Sequence, residues 1–208
     1  MLTALQVMET GPVIPVITID KASEALPLAK ALVKGGIKVL ELTLRTKAAM
    51  GAITELRSKL PEAIVGAGTV LDAQQAEQAK AAGALFLVSP GSTPKVLDAA
   101  AATGLPLLPG ACTPSEVMAL LERGITEQKF FPAEAAGGVD MLRSIAAPIP
   151  QVKFCPTGGL TPDNASAYLA LPNVVCIGGS WMVSRKLIEA KQWTEIERLA
   201  RLAAALKS

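Results

Sequence analysis

The 208-residue chain contains no histidine. That absence excludes Ser-His and Cys-His nucleophile pairs and every His-ligated zinc or iron centre, and no metal site is expected. Acid–base chemistry is left to Glu, Asp, Lys, Cys and a single Tyr. Aromatic residues make up only 3% of the chain, too few for the stacking platforms that hold single-stranded nucleic acid. A formal net charge of +2 gives no general attraction to a phosphate backbone, so no nucleic-acid partner is expected. No apolar run approaches the length of a membrane span, although half of the residues are hydrophobic. The opening MLTALQVMET has neither the basic start nor the long apolar stretch of a signal peptide. Cys112, Cys155 and Cys176 are odd in number and widely spaced in apolar runs. They read as reduced, buried thiols, and the chain as a cytoplasmic protein without membrane contact.

What the chain does have is an alternation. Short apolar runs ending in Gly, Pro or Thr give way to Ala/Leu/Glu/Lys segments of helical spacing. The runs are PVIPVITI (12–19), KVLELTL (38–44), AIVGAGTV (63–70), LFLVSP (85–90), PLLPGAC (106–112), QKFFPAE (128–134), QVKFCPTGG (151–159) and VVCIGGSW (174–181). Helical spacing marks Ser23–Lys34, Lys47–Leu60, Ala73–Ala82 and Pro114–Arg123, with Asp72, Thr93, Thr113 and Thr161 placed as N-caps. Ile196, Leu199, Ala200, Ala203 and Leu206 form a further apolar stripe at the end.

Eight strand–helix units predict an α/β protein: a single (β/α)₈ TIM barrel over residues 1–208. No linker, repeat or charge block divides the chain. The length leaves about 26 residues for each of eight units, close to the lower limit for this fold. A doubly wound open sheet is the rival, but no Gly-x-Gly-x-x-Gly opens the chain. Residues Leu2–Thr10 read as an N-terminal capping helix at the barrel bottom.

Strand alternation then locates chemistry. In LELTLRT, Leu40, Leu42 and Leu44 share one parity and must pack against helices. Glu41, Thr43 and Arg45 then face the lumen, where unpaired charge is costly. A Glu–Arg structural pair is the plain alternative to a functional one. Two lysines interrupt apolar strands, Lys129 in KFFPAE and Lys153 in KFCPTG. A lumen lysine beside Arg45 is pushed toward neutrality by desolvation and like charge, and can then form a Schiff base. A lysine at the barrel bottom simply extends to solvent. Periodicity does not choose between the two. The strand tips GAGT, SPGST, PTGG and IGGS are rich in backbone donors, and the last two follow strands seven and eight. Barrels commonly hold a phosphate there.

Together these motifs resemble the 2-keto-3-deoxy-6-phosphogluconate (KDPG) aldolases, in the KHG/KDPG aldolase family. GPVIPVITI, GGIKVLELTLRT, IVGAGTVL, LVSPG, KFFPAE with Gly137–Gly138, VKFCPTGG and CIGGSW carry the likeness, from about residue 11 to 182. The resemblance implies a class I lyase on a trimeric (β/α)₈ barrel. It would cleave a phosphorylated 2-keto acid to pyruvate and glyceraldehyde 3-phosphate without a cofactor, as in the Entner–Doudoroff pathway. By resemblance Lys129 is the Schiff-base lysine and Glu41 the general acid/base. Arg45 and Thr69 hold the pyruvate carboxylate, with Pro90 and Phe131 nearby. Thr157 bears on the substrate's C4 hydroxyl, and Gly158, Gly159, Gly179 and Ser180 take the phosphate. Relatives often have Arg where Lys153 stands, and Arg cannot form an imine.

Two departures stand out. Thr18 occupies a first-strand position where some relatives carry Arg, and a PG-x-x-T tip appears as PGACT (109–113). The alternatives are the same chemistry on 4-hydroxy-2-oxoglutarate or the phosphogalactonate epimer, a phosphosugar isomerase using Glu41 alone, and a phosphate-binding barrel without activity.

Overall fold

The computed structural model describes residues 2–206. Each apolar run becomes a strand: β1 (Val13–Ile17), β2 (Val39–Thr43), β3 (Ile64–Gly68), β4 (Leu87–Val88), β7 (Glu127–Phe130), β8 (Lys153–Pro156) and β9 (Ile177–Gly179). The fifth run divides into β5 (Leu107–Leu108) and β6 (Gly110–Ala111) around Pro109, which has no N–H for the ladder. The Pro109 carbonyl still accepts a hydrogen bond from the Lys129 N–H at 2.8 Å.

Every strand pairing is parallel. One sheet runs β5-β4-β3-β2-β1-β9 and the other β6-β7-β8. Parallel bridges Phe154↔Val174 and Thr157↔Gly178 link β8 to the stretch containing β9. The result is an α/β fold built on a curled parallel sheet.

Helices follow the strands because the sequence supplies their ends. Asp72 accepts the Gln75 N–H at 2.8 Å to start α4 (Ala73–Ala81). Thr93 caps α5 (Pro94–Thr103) in the same way. Thr113 and Glu116 form a reciprocal capping box on α6 (Pro114–Leu121). Asn164 accepts the Thr161 N–H at the start of α8 (Pro162–Leu169). Proline occupies the first turn of these last three helices, where a missing N–H costs nothing. The stretch read as Ser23–Lys34 begins with a 3₁₀ turn at Ala22–Glu24 before α2 (Ala25–Lys34).

The two faces of the sheet bury different clusters. Leu40 and Leu42 join the large cluster shared with the helices. Val39, of the opposite parity, joins Ile14, Phe86, Val88, Leu108, Cys155 and Cys176, together with Val7 and Met8 from α1 (Ala4–Glu9). The C-terminal stripe forms α10 (Trp193–Ala204), with Ile196, Ala200 and Ala203 buried. It packs on the end of α2 at Gly35, where an added Cβ would sit 2.5 Å from the Ala200 Cβ. Among the described residues no helix is long and apolar enough to cross a membrane.

Candidate active site

The alternation in β2 directs Glu41 and Thr43 into the interior, and both are buried. Thr43 donates to the Ile17 carbonyl at 2.9 Å, so the Thr18 hydroxyl, 3.0 Å away, is the donor to Thr43. Thr18 thus ties β1 to β2 through a neutral bond. Arg45 lies beyond the strand end, exposed, on the wall of a cavity of about 890 Å³.

The structure separates the two lysines. Lys129 sits in β7 between Gly110 and Cys155 in register. It is 5% exposed, with Nζ 3.5 Å from Glu41 Oε1 and 5.3 Å from the Phe131 ring centroid. Lys153, at the start of β8, instead donates to the Pro172 carbonyl at 3.2 Å at an exposed position. The charged neighbour of Lys129 is therefore the Glu41 carboxylate. Each buried ion offsets part of the other's desolvation, which an isolated charge there could not do.

Glu41 is closely confined. A Cβ on Gly68 would come 2.2 Å from Glu41 Oε1, so the carboxylate can lie there only against glycine. The next residue, Thr69, has φ +61°, a left-handed conformation that a β-branched side chain adopts at a cost of about 1–3 kcal/mol. Such strain persists only where the surroundings over-determine it. Pro90 is half-buried at the end of the β4 stretch, facing Gly110, the register partner of Lys129.

The cavity brings together Arg45, Phe131, Thr157, Gly158, Gly159, Gly179 and Ser180. Lys129, Glu41, Thr69 and Pro90 do not border this open part. Lys129 adjoins it through Phe131. Gly158 and Gly159 have φ of +103° and +80°, conformations open to glycine that turn the loop back on itself. The loop is held by backbone bonds from Ala133 to Thr157 and from Glu134 to Gly158, at 2.8 and 3.1 Å. Glu134 is held in turn by the buried Tyr168 hydroxyl. Burial, then the Glu134 carboxylate, raise the Tyr168 phenol well above its ordinary range.

Cys155 and Cys176 are buried on the same face. A hydrogen bond between them, then burial and the charges of Cys155 and Glu41, push the Cys176 thiol well above its ordinary value. It is therefore a neutral thiol at physiological pH. Among the described residues no group of three or more Cys, Asp or Glu is placed to hold a metal ion.

Sequence reasoning missed Asp20 and Arg185, which both border the cavity. Asp20 stands just past β1 and Arg185 five residues beyond Ser180, so both are at strand exits on the cavity side. That position was the available signal. Neither belongs to a recognisable motif.

Residues 5–199 match the family model described as KDPG and KHG aldolase. The KHG/KDPG aldolase of Escherichia coli K12 is 52% identical over 201 residues, 97% of this chain and 94% of that protein. A KDPG aldolase crystal structure from Legionella pneumophila, with pyruvate captured as a covalent carbinolamine intermediate, superposes with TM-score 0.96 at 46% identity. It covers 98% of this chain and 99% of that one. The KDPG aldolase of Zymomonas mobilis ZM4, solved with 3-phosphoglycerate, gives TM-score 0.90 at 45% identity, covering 97% and 94%. The chain belongs to the KDPG and KHG aldolase family.

Proposed function

We propose that this protein is a Schiff-base aldolase that cleaves KDPG to pyruvate and glyceraldehyde 3-phosphate. The observation that carries the reading is the buried pair of Lys129 and Glu41, with Nζ 3.5 Å from Oε1, beside a cavity far larger than pyruvate needs. The captured pyruvate adduct of the Legionella relative supports the same chemistry.

In this reading Lys129 passes a proton to Glu41 and attacks the C2 ketone of the substrate. The departing hydroxyl takes that proton back from Glu41 and leaves as water, giving an iminium that draws electrons from the C3–C4 bond and a Glu41 carboxylate once more. Glu41, directly or through a water, takes the C4 hydroxyl proton as that bond breaks. Glyceraldehyde 3-phosphate departs, and the enamine left on Lys129 is protonated at C3. Water then hydrolyses the pyruvate imine and frees the amine. One carboxyl group serves both transfers because each returns what the other takes. Arg45 and Thr69 receive the carboxylate, Pro90 and Phe131 border the reacting carbons, and Thr157 meets the C4 hydroxyl. Gly158, Gly159, Gly179 and Ser180 hold the phosphate.

We further read the two sheets as arcs of one eight-stranded barrel forming a single domain. The continuity of β5 and β6 through Pro109, and the Thr157↔Gly178 bridge, support closure. Val7 and Met8 favour a capping role for α1. A cytoplasmic homotrimer completes the proposal, and light scattering tests the assembly. Borohydride reduction in the presence of pyruvate tests the chemistry. A three-carbon adduct on Lys129, with turnover of KDPG above that of 4-hydroxy-2-oxoglutarate and the phosphogalactonate epimer, is expected. No adduct would leave a binding barrel or an isomerase in its place.

A further inference from the structure

Asp20 and Arg185 form an ion pair at the rim of the cavity. Arg185 donates from Nε at 2.8 Å and from Nη2 to the same Asp20 oxygen, Oδ2. Glu189 Oε1 also lies 3.4 Å from the same Nε. The pair joins the exit of β1 to the start of α9 (Arg185–Glu189), two segments far apart in sequence that meet at this cavity. With side chains 69% and 34% exposed, such a pair contributes little to stability. Its position calls for another explanation.

Two arginines border the cavity, Arg45 and Arg185. The proposed substrate carries two anions, a carboxylate at C1 and a phosphate at C6. C1 is bonded to the C2 that Lys129 attacks, so the carboxylate stays near the lysine and the phosphate lies four carbons farther on. The loop tips at Gly158, Gly159, Gly179 and Ser180 offer amides and a hydroxyl but no positive charge. Arg185 engages Asp20 through Nε and Nη2, and among the described residues Nη1 has no partner. Its free edge can meet a phosphate while Asp20 restrains its rotation.

We propose that Arg185, held by Asp20, is a specificity residue that recognises the phosphorylated end of the substrate. This rests on the aldolase reading above and goes beyond it. Glycine-rich tips bind any compact anion that reaches them. An oriented guanidinium favours a group that carries more than one negative charge and accepts hydrogen bonds in its plane. Asp20 has a second effect, since its carboxylate offsets part of the Arg185 charge when the site is empty. A monoanionic sugar acid then gains little at this rim.

The test compares KDPG with the same 2-keto-3-deoxy sugar acid lacking its phosphate. Arg185→Gln should raise KM for the phosphorylated substrate about tenfold, the strength of a charge-assisted bond discounted for exposure. Its kcat, and both constants for the unphosphorylated acid, should hold. Arg185→Lys should recover part of the loss, because it keeps the charge without the fork. In the unsubstituted enzyme the preference for phosphate should fall as salt rises, and more steeply than in Arg185→Gln. Equal losses on both substrates, or an unchanged ratio between them, would overturn the proposal. Calorimetric binding of 3-phosphoglycerate against glycerate reads the same discrimination without turnover. Weaker 3-phosphoglycerate binding in Arg185→Gln supports the assignment even if neither sugar acid is cleaved. The second result would defeat the aldolase reading alone.

Discussion

Lys129 Nζ lies 3.5 Å from Glu41 Oε1 with both side chains almost wholly buried, whereas Lys153 ends on the Pro172 carbonyl at an exposed position. The two lysines share the local sequence Lys-Phe-x-Pro and differ in their surroundings. Lys129→Ala should abolish turnover and the borohydride adduct together, while Lys153→Ala should keep both. Mass spectrometry of the reduced, digested protein locates the adduct. Glu41→Gln should cost on the order of 10²–10⁴ in kcat.

Two glycines on β3 should differ in what their substitution costs. The Gly68→Ala methyl would strike Glu41 Oε1 at 2.2 Å, and a side chain that can swing will swing away from Lys129. The expected result is a loss of kcat on the order of 10²-fold or more, as for displacement of the proposed general base, with a lowered thermal midpoint as well, because parting the buried pair leaves each charge without its partner. In Gly66→Ala the new methyl meets the Phe86 ring at 2.4 Å. That ring is fully buried, so overpacking should cost about 1–3 kcal/mol in urea titrations.

Thr69 should separate activity from stability. Its φ of +61° is unfavourable for threonine and open to glycine. Thr69→Gly should leave stability unchanged or raise it by up to about 1 kcal/mol, relief of strain outweighing the greater chain entropy of glycine. KM for pyruvate in the reverse condensation should rise nonetheless, because the hydroxyl is gone. A stability loss above about 1 kcal/mol would show that the strain is not what the side chain trades for its contact.

Glu116 gives a pH dependence. Its carboxylate accepts from the Cys112 and Thr113 N–H groups, at 2.9 Å each, and those bonds hold its pKa below the ordinary value against the opposing effect of burial. A depressed folded pKa means stability that is present above the unfolded value and lost as pH falls through the folded one. Glu116→Ala should therefore destabilise by about 1 kcal/mol at pH 7, the usual magnitude for a lost cap. The gap between parent and variant should close in acid, below pH 4.5. Urea midpoints measured across that range check both the sign and the window.

The helix ends were legible because each cap is a local event. Asp72, Thr93 and Thr113 accept backbone N–H groups three residues on, Thr161 donates its own N–H to Asn164, and the structure finds all four at helix starts. The inward face of β2 was legible for a similar reason, since alternation alone assigns Glu41 once the leucines must pack outward. The choice between Lys129 and Lys153 was not, because parity says which face a residue takes but not which end of the strand is wet. The pairing of Arg185 with Asp20 was invisible for the same kind of reason. The two stand 165 residues apart, and no spacing rule connects them. The break at Pro109 could have been anticipated from the missing N–H, but the continuity of the ladder through its carbonyl could not.

That break has a consequence for how the enzyme fails. Glu41 belongs to the six-stranded sheet and Lys129 to the three-stranded one. Their separation is therefore set by the seam between the sheets and by neither sheet alone. A loosening at Pro109 or at the Thr157–Gly178 bridge would part the proposed catalytic pair while both sheets kept their ladders. Catalysis is thus a more sensitive gauge of this seam than circular dichroism. In rising urea, activity should fade before any helix or strand is lost.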